Sequence, residues 1–439
     1  MNIDKTKQIV TDILQTVKKN GATQAEVVYS QGSGLAVSVR NHDVDTIENS
    51  NDSSLVITVY SGKAKGSAST AVLDKESIEL TIKKAIEISK LTEEDEYAGL
   101  AEPELLANPD NFKELDTYHP ADVTADELIE MAKQAESAAL ESKGLVVDES
   151  NVSIGEGSSI YANSNGFIGH KQGTNSSISV VAIAEKDGNM ERDYWWDASC
   201  NFYQMMNAEE LGRKAAERTL SRIGAQKVKS TKAPVLFEAP VAQGLVGHML
   251  SAISGSSLYQ EASFLKDDLE NQIFPEWFEI NEDPFVKQGM ASRNFDSNGV
   301  ATKQRQLIDK GVLKGFLLSV YSARRLKMQA TGNAGGAHNL FVKTGKDDLQ
   351  AALKTMGTGL FVTSVMGQGI NTVTGDYSRG ASGFWVENGE IQFPVSELTI
   401  AGNLKDMYKN LVLVANDVDK RSKTQTGSWL IEEMTIAGD

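Results

Sequence analysis

The chain has 439 residues, more than one ordinary domain holds, so roughly two to three domains are expected. With 40% hydrophobic and 23% charged residues it has a globular composition, which argues against a disordered chain. The net charge of −17 comes without any Lys/Arg-rich block, which argues against nucleic acid as a partner. Cys200 is the single cysteine, so no intramolecular disulfide forms. No run approaches the about 18–20 apolar residues of a membrane span, and Met1-Asn-Ile-Asp-Lys5 lacks a signal-peptide core. A cytoplasmic protein with no membrane partner is the expectation.

In chain order, residues 4–19 predict an amphipathic helix in which Ile9, Val10, Ile13, Leu14 and Val17 share a face and Asn20-Gly21 supplies the stop. Strands are predicted at 25–30, 35–40 and 55–60, and at 64–70 after the Ser61-Gly62-Lys63 turn. A second helix follows from Asp74, with Ile78, Ile82 and Ile86 on its apolar face. Residues 92–123 hold the acid run Glu93-Glu-Asp-Glu96, three prolines and few large apolar residues, the pattern of a long surface connection. The acid run itself reads as a solvated face.

The pattern then starts again. Thr124-Ala-Asp-Glu127 is a capping box that opens a helix through Leu140. Strands follow around Val146, Ser153 and Ile160 and at 177–183, and a helix near 208–223 carries Arg213, Lys214, Arg218 and Arg222. Helix, strands, helix thus occurs twice, over 1–91 and 124–225, which suggests a duplication although the residues themselves barely match. The polar stretch Lys227-Val-Lys-Ser-Thr-Lys232 sets a boundary between an N-terminal domain, 1–229, and a C-terminal one, 230–439. The latter reads as strands, glycine turns and short helices, one of them at 347–356, ending in an all-strand tail with strands at 396–400, 410–415 and 428–436. The fold class expected is α+β, an α/β N-terminal part followed by a β-rich C-terminal domain.

Pro240-Val-Ala-Gln-Gly-Leu-Val-Gly-His248 opens a helix with Val241, Leu245, Met249 and Ile253 on one stripe and His248 as its ionisable side chain. Hydrolytic zinc needs three protein ligands, an open position for water and a carboxylate to take its proton. The five histidines, His42, His119, His170, His248 and His338, are scattered, and no HExxH string occurs. His42 and His119 lie in polar sequence and are expected to face solvent, while His170 is expected in a turn between strands. Cys200, with no histidine nearby in sequence, reads as a passive thiol.

Two glycine-rich stretches are candidates for binding. Thr331-Gly-Asn-Ala-Gly-Gly-Ala-His338 could offer backbone N–H groups to an anion or an extended peptide through Gly332, Asn333, Gly335 and Gly336, or be an ordinary turn between strands. Arg324 and Arg325, just before it, are candidate partners for a carboxylate or phosphate. In Gly375-Asp-Tyr-Ser-Arg-Gly-Ala-Ser-Gly-Phe-Trp385, small residues alternate with Tyr377, Arg379 and Trp385, which suits a groove for extended backbone or a packed barrel corner.

Several long blocks, MGQGINTVTGDYSRGASGFWVENGEIQFPVSELTIAGNLKDM, QATGNAGGAHN, YSARRL, GHMLSAISGSSLYQ and the closing EEMTIAG, together resemble the TldD/PmbA family, historically labelled modulators of DNA gyrase, and within it the PmbA branch, also called TldE. The resemblance implies a cytoplasmic zinc-dependent protease of TldD-type and PmbA-type subunits that acts on unfolded peptides, assembled as a dimer around a chamber. The TldD branch holds its metal on HExxxH and a cysteine near the C-terminus. Carried onto this chain, that motif falls on Gln243, Gly244 and His248, and no cysteine follows Cys200. The resemblance therefore implies a non-catalytic subunit with no cofactor of its own, zinc being expected in a TldD-type partner. The alternative is a metal-independent peptide-binding or chaperone-like homodimer. A third reading, a zinc peptidase with unrecognised ligands, remains open.

Overall fold

The computed structural model describes residues 2–438 and is an α+β fold. Helix α1 (Ile3–Lys19) is capped by Asn2 and buries Val10, Ile13 and Val17. Strands β1 (Gln24–Arg40), β2 (Asp43–Ser61) and β3 (Ala64–Thr70) follow, then helix α2 (Lys75–Leu91), capped by Asp74. A second unit of the same plan comprises helix α3 (Ala125–Leu140), strands β4 (Leu145–Asn163), β5 (Ile168–Lys186) and β6 (Asn189–Ser199), and helix α4 (Ala208–Ser221). The Thr124–Glu127 capping box forms in both directions.

All six strands build one antiparallel sheet, ordered β3-β2-β1-β4-β5-β6. The two units meet at its centre, where β1 pairs with β4 from Glu26↔Asn163 to Val39↔Ser150. The strands expected at 25–30 and 35–40 are one. Gln31-Gly-Ser-Gly34 reads as a turn in isolation, but β2 and β4 pair along both of its edges and hold it extended, with Gly32 opposite Gly157 and Gly34 opposite Gly155. Tertiary pairing overrides the local glycine preference here. His170 likewise sits within β5 rather than in a turn.

The helices bury their apolar stripes on the sheet in two clusters. Val10, Ile13, Val17, Ile82 and Ala85 pack on Val27 and Ile57, while Leu128, Ala135, Leu211 and Ala215 pack on Val39, Val152 and Ile178. Glycine sets the closest approach in each unit: a β-carbon on Gly66 would lie 2.1 Å from the Ala85 carbonyl oxygen, and one on Gly212 would lie 2.0 Å from that of Ala135.

The 92–123 connection is less of a free surface loop than its composition suggests. Ala98, Leu100, Ala101 and Ala107 are buried. Arg324 donates to the carbonyls of Tyr97 (3.1 Å), Gly99 (3.2 Å) and Leu100 (2.6 Å) and pairs with Glu102 at 2.7 Å. Asp95, within the acid run, accepts the Tyr321 hydroxyl at 2.8 Å. Arg324 thus straps this segment down, the carboxylate it partners being Glu102 of the same chain, and Arg325 stacks on Tyr97 and Tyr259.

In the C-terminal domain, β7 (Thr231–Phe237) leads into α5 (Ala239–Ala252) and α6 (Gly255–Tyr259). Then come β8 (Ile280–Asp283), β9 (Arg305–Asp309), β10 (Val312–Leu313), α7 (Val320–Arg325), β11 (Asn339–Val342) and α8 (Leu349–Met356). The chain ends with β12 (Gly359–Met366), β13 (Asp376–Glu387), β14 (Glu390–Asn403), α9 (Leu404–Lys409), β15 (Leu411–Val414), β16 (Thr424–Gln425) and β17 (Trp429–Ala437). Strands run β14-β13-β12-β7-β17, and the pairing of β14 with β17 closes these five into a ring. A smaller sheet is ordered β10-β9-β8-β11-β16.

The tail expected to be all strand is interrupted by α9, where Asn403 caps and Leu404, Met407 and Tyr408 turn one apolar face inward. Tyr408 lies 4.7 Å from Phe274, centroid to centroid, and Phe278 lies 5.2 Å from Trp429, all four rings fully buried. The Tyr408 hydroxyl donates to the Leu245 carbonyl at 2.9 Å, pinning α5 to this core.

Substitution of Gly212 by Val should force α3 and α4 apart and cost about 1–3 kcal/mol by overpacking. Gly157, with nothing within 4 Å of its added β-carbon, provides the comparison: Gly157→Ala should stay within about 0.5 kcal/mol of the parent chain. Urea or thermal unfolding midpoints of the two variants measure the difference.

Candidate functional site

Helix α5 starts at Glu238-Ala-Pro240, with proline in the first turn where its missing N–H costs nothing. Ala242, Leu245, Val246, Met249 and Ala252 face the core. Val241, Gly244 and His248 are left on the other side, where they line a cavity of about 240 Å³. The N-terminal domain supplies Tyr194, Trp195 and Trp196 from β6 and Arg218 from α4; the ring supplies Thr363 from β12 and Tyr377 and Arg379 from β13. Arg421 completes the wall.

Two of the three arginines are already neutralised. Arg218 grips Glu238 with both terminal nitrogens (2.7 and 3.0 Å), reaches Asp193 at 3.5 Å and lies over Trp195. Arg421 pairs with Asp419 (2.8 and 3.0 Å), donates to the Trp196 carbonyl at 2.7 Å and stacks 3.8 Å from the Trp195 ring centroid. Arg379 donates its Nε to the Met366 carbonyl at 3.1 Å and forms no ion pair among the described residues. His248 meets the Tyr377 ring edge-on at 6.0 Å. Burial, and then the positive charge of Arg379, hold the imidazole below the ordinary histidine range. Burial pushes the Tyr377 phenol up to about 12, with Arg379 pulling the other way. Both rings are therefore neutral near pH 7.

The motif positions on α5 do not share one surface. Gly244 and His248 line the cavity, but Gln243 turns away: its Oε1 accepts the Ser422 hydroxyl at 2.8 Å and its Nε2 is buried without an acceptor. This follows from the five-residue spacing, which places two side chains about 140° apart on a regular helix. The donor set does not fit a zinc ion, because it offers a single imidazole beside a guanidinium and no carboxylate lines the cavity. Among the described residues no three His, Cys, Asp or Glu side chains are grouped to hold a metal.

The glycine-rich stretch lies on the other side of α5. Asn333, Gly335 and Gly336 line a second hollow of about 740 Å³ together with Gly247, Ser251 and Lys423. Gly332 stays behind it: at φ +75° its α-carbon abuts the Ala301 carbonyl, and its own carbonyl meets His338 Nε2 at 2.9 Å. Glu282, paired with Arg305 at 2.6 Å, accepts from Asn333 Nδ2 and from the His338 backbone N–H, both at 2.8 Å. Tyr377 and Arg379 are thus brought to His248, whereas Asn333, Gly335 and Gly336 are not.

The remaining candidates are structural. His42 lies 3.4 Å from Glu136, a buried carboxylate that accepts the backbone N–H groups of Asn41 and His42. His119, expected in solvent, is half-buried with Nε2 2.9 Å from the Asp116 carbonyl. His170 Nε2 lies 2.9 Å from Ser158 Oγ. Cys200 is buried, and burial followed by the Asp116 charge pushes its thiol up, the wrong direction for a nucleophile.

Sequence reasoning missed Trp195, Trp196, Arg421 and Thr363 as neighbours of His248. The one local signal was the run of two large rings, Trp195-Trp196, on a strand whose alternation leaves room for only one in the sheet core; both border the cavity.

Replacing Arg379 with Gln removes the nearby cation, so the His248 midpoint should rise, while burial still holds it below the ordinary histidine range. An NMR pH titration of the imidazole resonances reads this; an unmoved midpoint would show that the guanidinium does not act on His248.

Three family models match the chain: the PmbA/TldA metallopeptidase domain 1 over residues 25–89, the central domain over 118–223 and the C-terminal domain over 230–438. The chain is 46% identical over 416 residues to metalloprotease PmbA of Escherichia coli O157:H7, covering 94% of this chain and 92% of that protein. It is 42% identical over 436 residues to the PmbA homologue of Haemophilus influenzae, covering 99% and 96%. A Bacteroides thetaiotaomicron protein, described as a candidate modulator of DNA gyrase, superposes over all of both chains with a TM-score of 0.94 at 29% identity. TldE of Thermococcus kodakarensis shares the fold, with a TM-score of 0.85 at 21% identity over 98% of this chain and 100% of that one. The chain belongs to the PmbA/TldD metallopeptidase family.

Proposed function

We propose that this chain is a PmbA-type, TldE-like subunit that carries no metal of its own and works in the cytoplasm as a heterodimer with a zinc-bearing TldD-type partner, processing unfolded peptides. The observation that carries the reading is the surface of α5. Where the metal-bearing branch of the family has histidine, glutamate and histidine, this helix offers an amide bonded to Ser422, a glycine and one neutral imidazole beside Arg379. One imidazole does not hold zinc, and without a carboxylate nothing takes the proton of an attacking water. The subunit's role in this reading is to close the peptide chamber and to hold substrate in extended form, for which backbone pairing tolerates many sequences.

The test is co-expression with a TldD-type partner, followed by native mass measurement, elemental analysis and a peptide cleavage assay. The complex should contain zinc and cleave unfolded peptides, and the isolated chain should retain none after dialysis. Stoichiometric zinc in the isolated chain, or equal cleavage by the partner alone, would overturn the proposal.

A further inference from the structure

We infer that the cavity beside His248 is a subsite for the C-terminal α-carboxylate of a peptide, an inference that rests on the chain being a peptide-binding subunit. Four side chains able to donate line the cavity: Arg379, His248, Tyr377 and Thr363. Arg379 has its terminal nitrogens free of any ion pair, and neither the His248 imidazole nor the Tyr377 hydroxyl bonds to another of the described residues. Thr363 is 9% exposed and its buried hydroxyl has no partner, a costly state for a polar group beside the cavity. No Asp or Glu lines the cavity, although the chain as a whole carries a net charge of −17. An unpaired guanidinium in so acidic a protein is a local anion site against the general field.

The charge count selects a carboxylate over a phosphate. Arg218 and Arg421 are held by Glu238 and Asp419, which leaves one uncompensated cation, suited to a monoanion. Their remaining task is to stiffen the tryptophan wall, since both lie over the Trp195 ring.

Size and lining select a chain end over an internal acidic residue. At about 240 Å³ the hollow is smaller than the about 300–1,000 Å³ of sites for drug-sized ligands, so it takes one residue rather than a chain passing through. Val241, Leu245 and Val365 add apolar surface to its lining, with Trp195 and Trp196. A terminal residue presents its carboxylate and side chain from the same carbon, so an apolar C-terminal residue suits the mixed polar and apolar lining of the cavity. Arg379 is the preferred partner for a carboxylate because its terminal nitrogens match the spacing of two oxygens.

Calorimetric titration of the full chain with N-acetylated Ala-Ala-Leu, as the free acid and as the C-terminal amide, tests this. The acid should bind at least tenfold more tightly than the amide. Arg379→Gln should abolish that preference, Arg379→Lys should restore part of it, and circular dichroism should show both variants folded. Acetate should compete weakly, and inorganic phosphate no better than acetate. Equal binding of acid and amide, no saturable binding of either, a preference that survives Arg379→Gln, or phosphate outcompeting the peptide would each overturn the inference. The two proposals fail separately: an acid–amide preference does not require a zinc-bearing partner, and a working heterodimer that ignores the peptide's end retains the first and loses the second.

Discussion

The junction at the candidate site is held by one ion pair, Arg218 with Glu238. Glu238 stands at the start of α5, where a negative charge complements the helix dipole, and Arg218 reaches it from α4 of the other domain with two parallel bonds. Both side chains are largely buried, at 14% and 16% exposure, so removing Arg218 would strand the Glu238 charge at a cost on the order of 3–5 kcal/mol, whereas Arg218 without Glu238 would keep Asp193 at 3.5 Å. The pair ties the start of α5 to α4, beside the cavity whose wall includes Trp195 and Trp196, far away in sequence. Tyr408 acts from the opposite side, holding the middle of the same helix through the Leu245 carbonyl.

With α5 fixed at two points, the electrostatics of the cavity follow. Arg218 and Arg421, both largely buried, have carboxylates within bonding distance, as buried charges require, whereas Arg379 is partly exposed. The third, Arg379, acts on its neighbours instead: it disfavours the imidazolium of His248 and eases the phenol of Tyr377 against the stronger effect of burial. A site with a neutral histidine, a neutral phenol and a free guanidinium is organised to receive negative charge. It is poorly organised to receive a divalent cation, which needs the reverse arrangement.

The two long units of the N-terminal domain show how far local signals reach. The capping box at Thr124, the cap at Asp74 and the stripes of Val10, Ile13 and Val17 specify helices from contacts within a few residues, and those elements were legible in the sequence. Gln31-Gly-Ser-Gly34 was not, because its extended form is imposed by two neighbouring strands, one of them more than a hundred residues away. The connection over 92–123 is the long surface segment its composition indicates, but its anchoring was not legible, for a related reason. It has little apolar surface of its own, and Arg324 of the other domain holds it by its backbone carbonyls.

By itself, the sequence determined the α+β class, most helices and their caps, and the presence at α5 of Gln243, Gly244 and one histidine, because each depends on residue identity or on periodicity over a few turns. The family likeness was carried by the same local information. Only the tertiary structure decided what surrounds His248. The closed ring of β14-β13-β12-β7-β17 brings Tyr377 and Arg379 to the helix, the domain junction adds Trp195, Trp196 and Arg421, and the helix itself separates them from Asn333, Gly335 and Gly336. Those neighbours come from segments up to more than two hundred residues apart. Their meeting is a property of strand closure and domain docking, which no short window of sequence encodes.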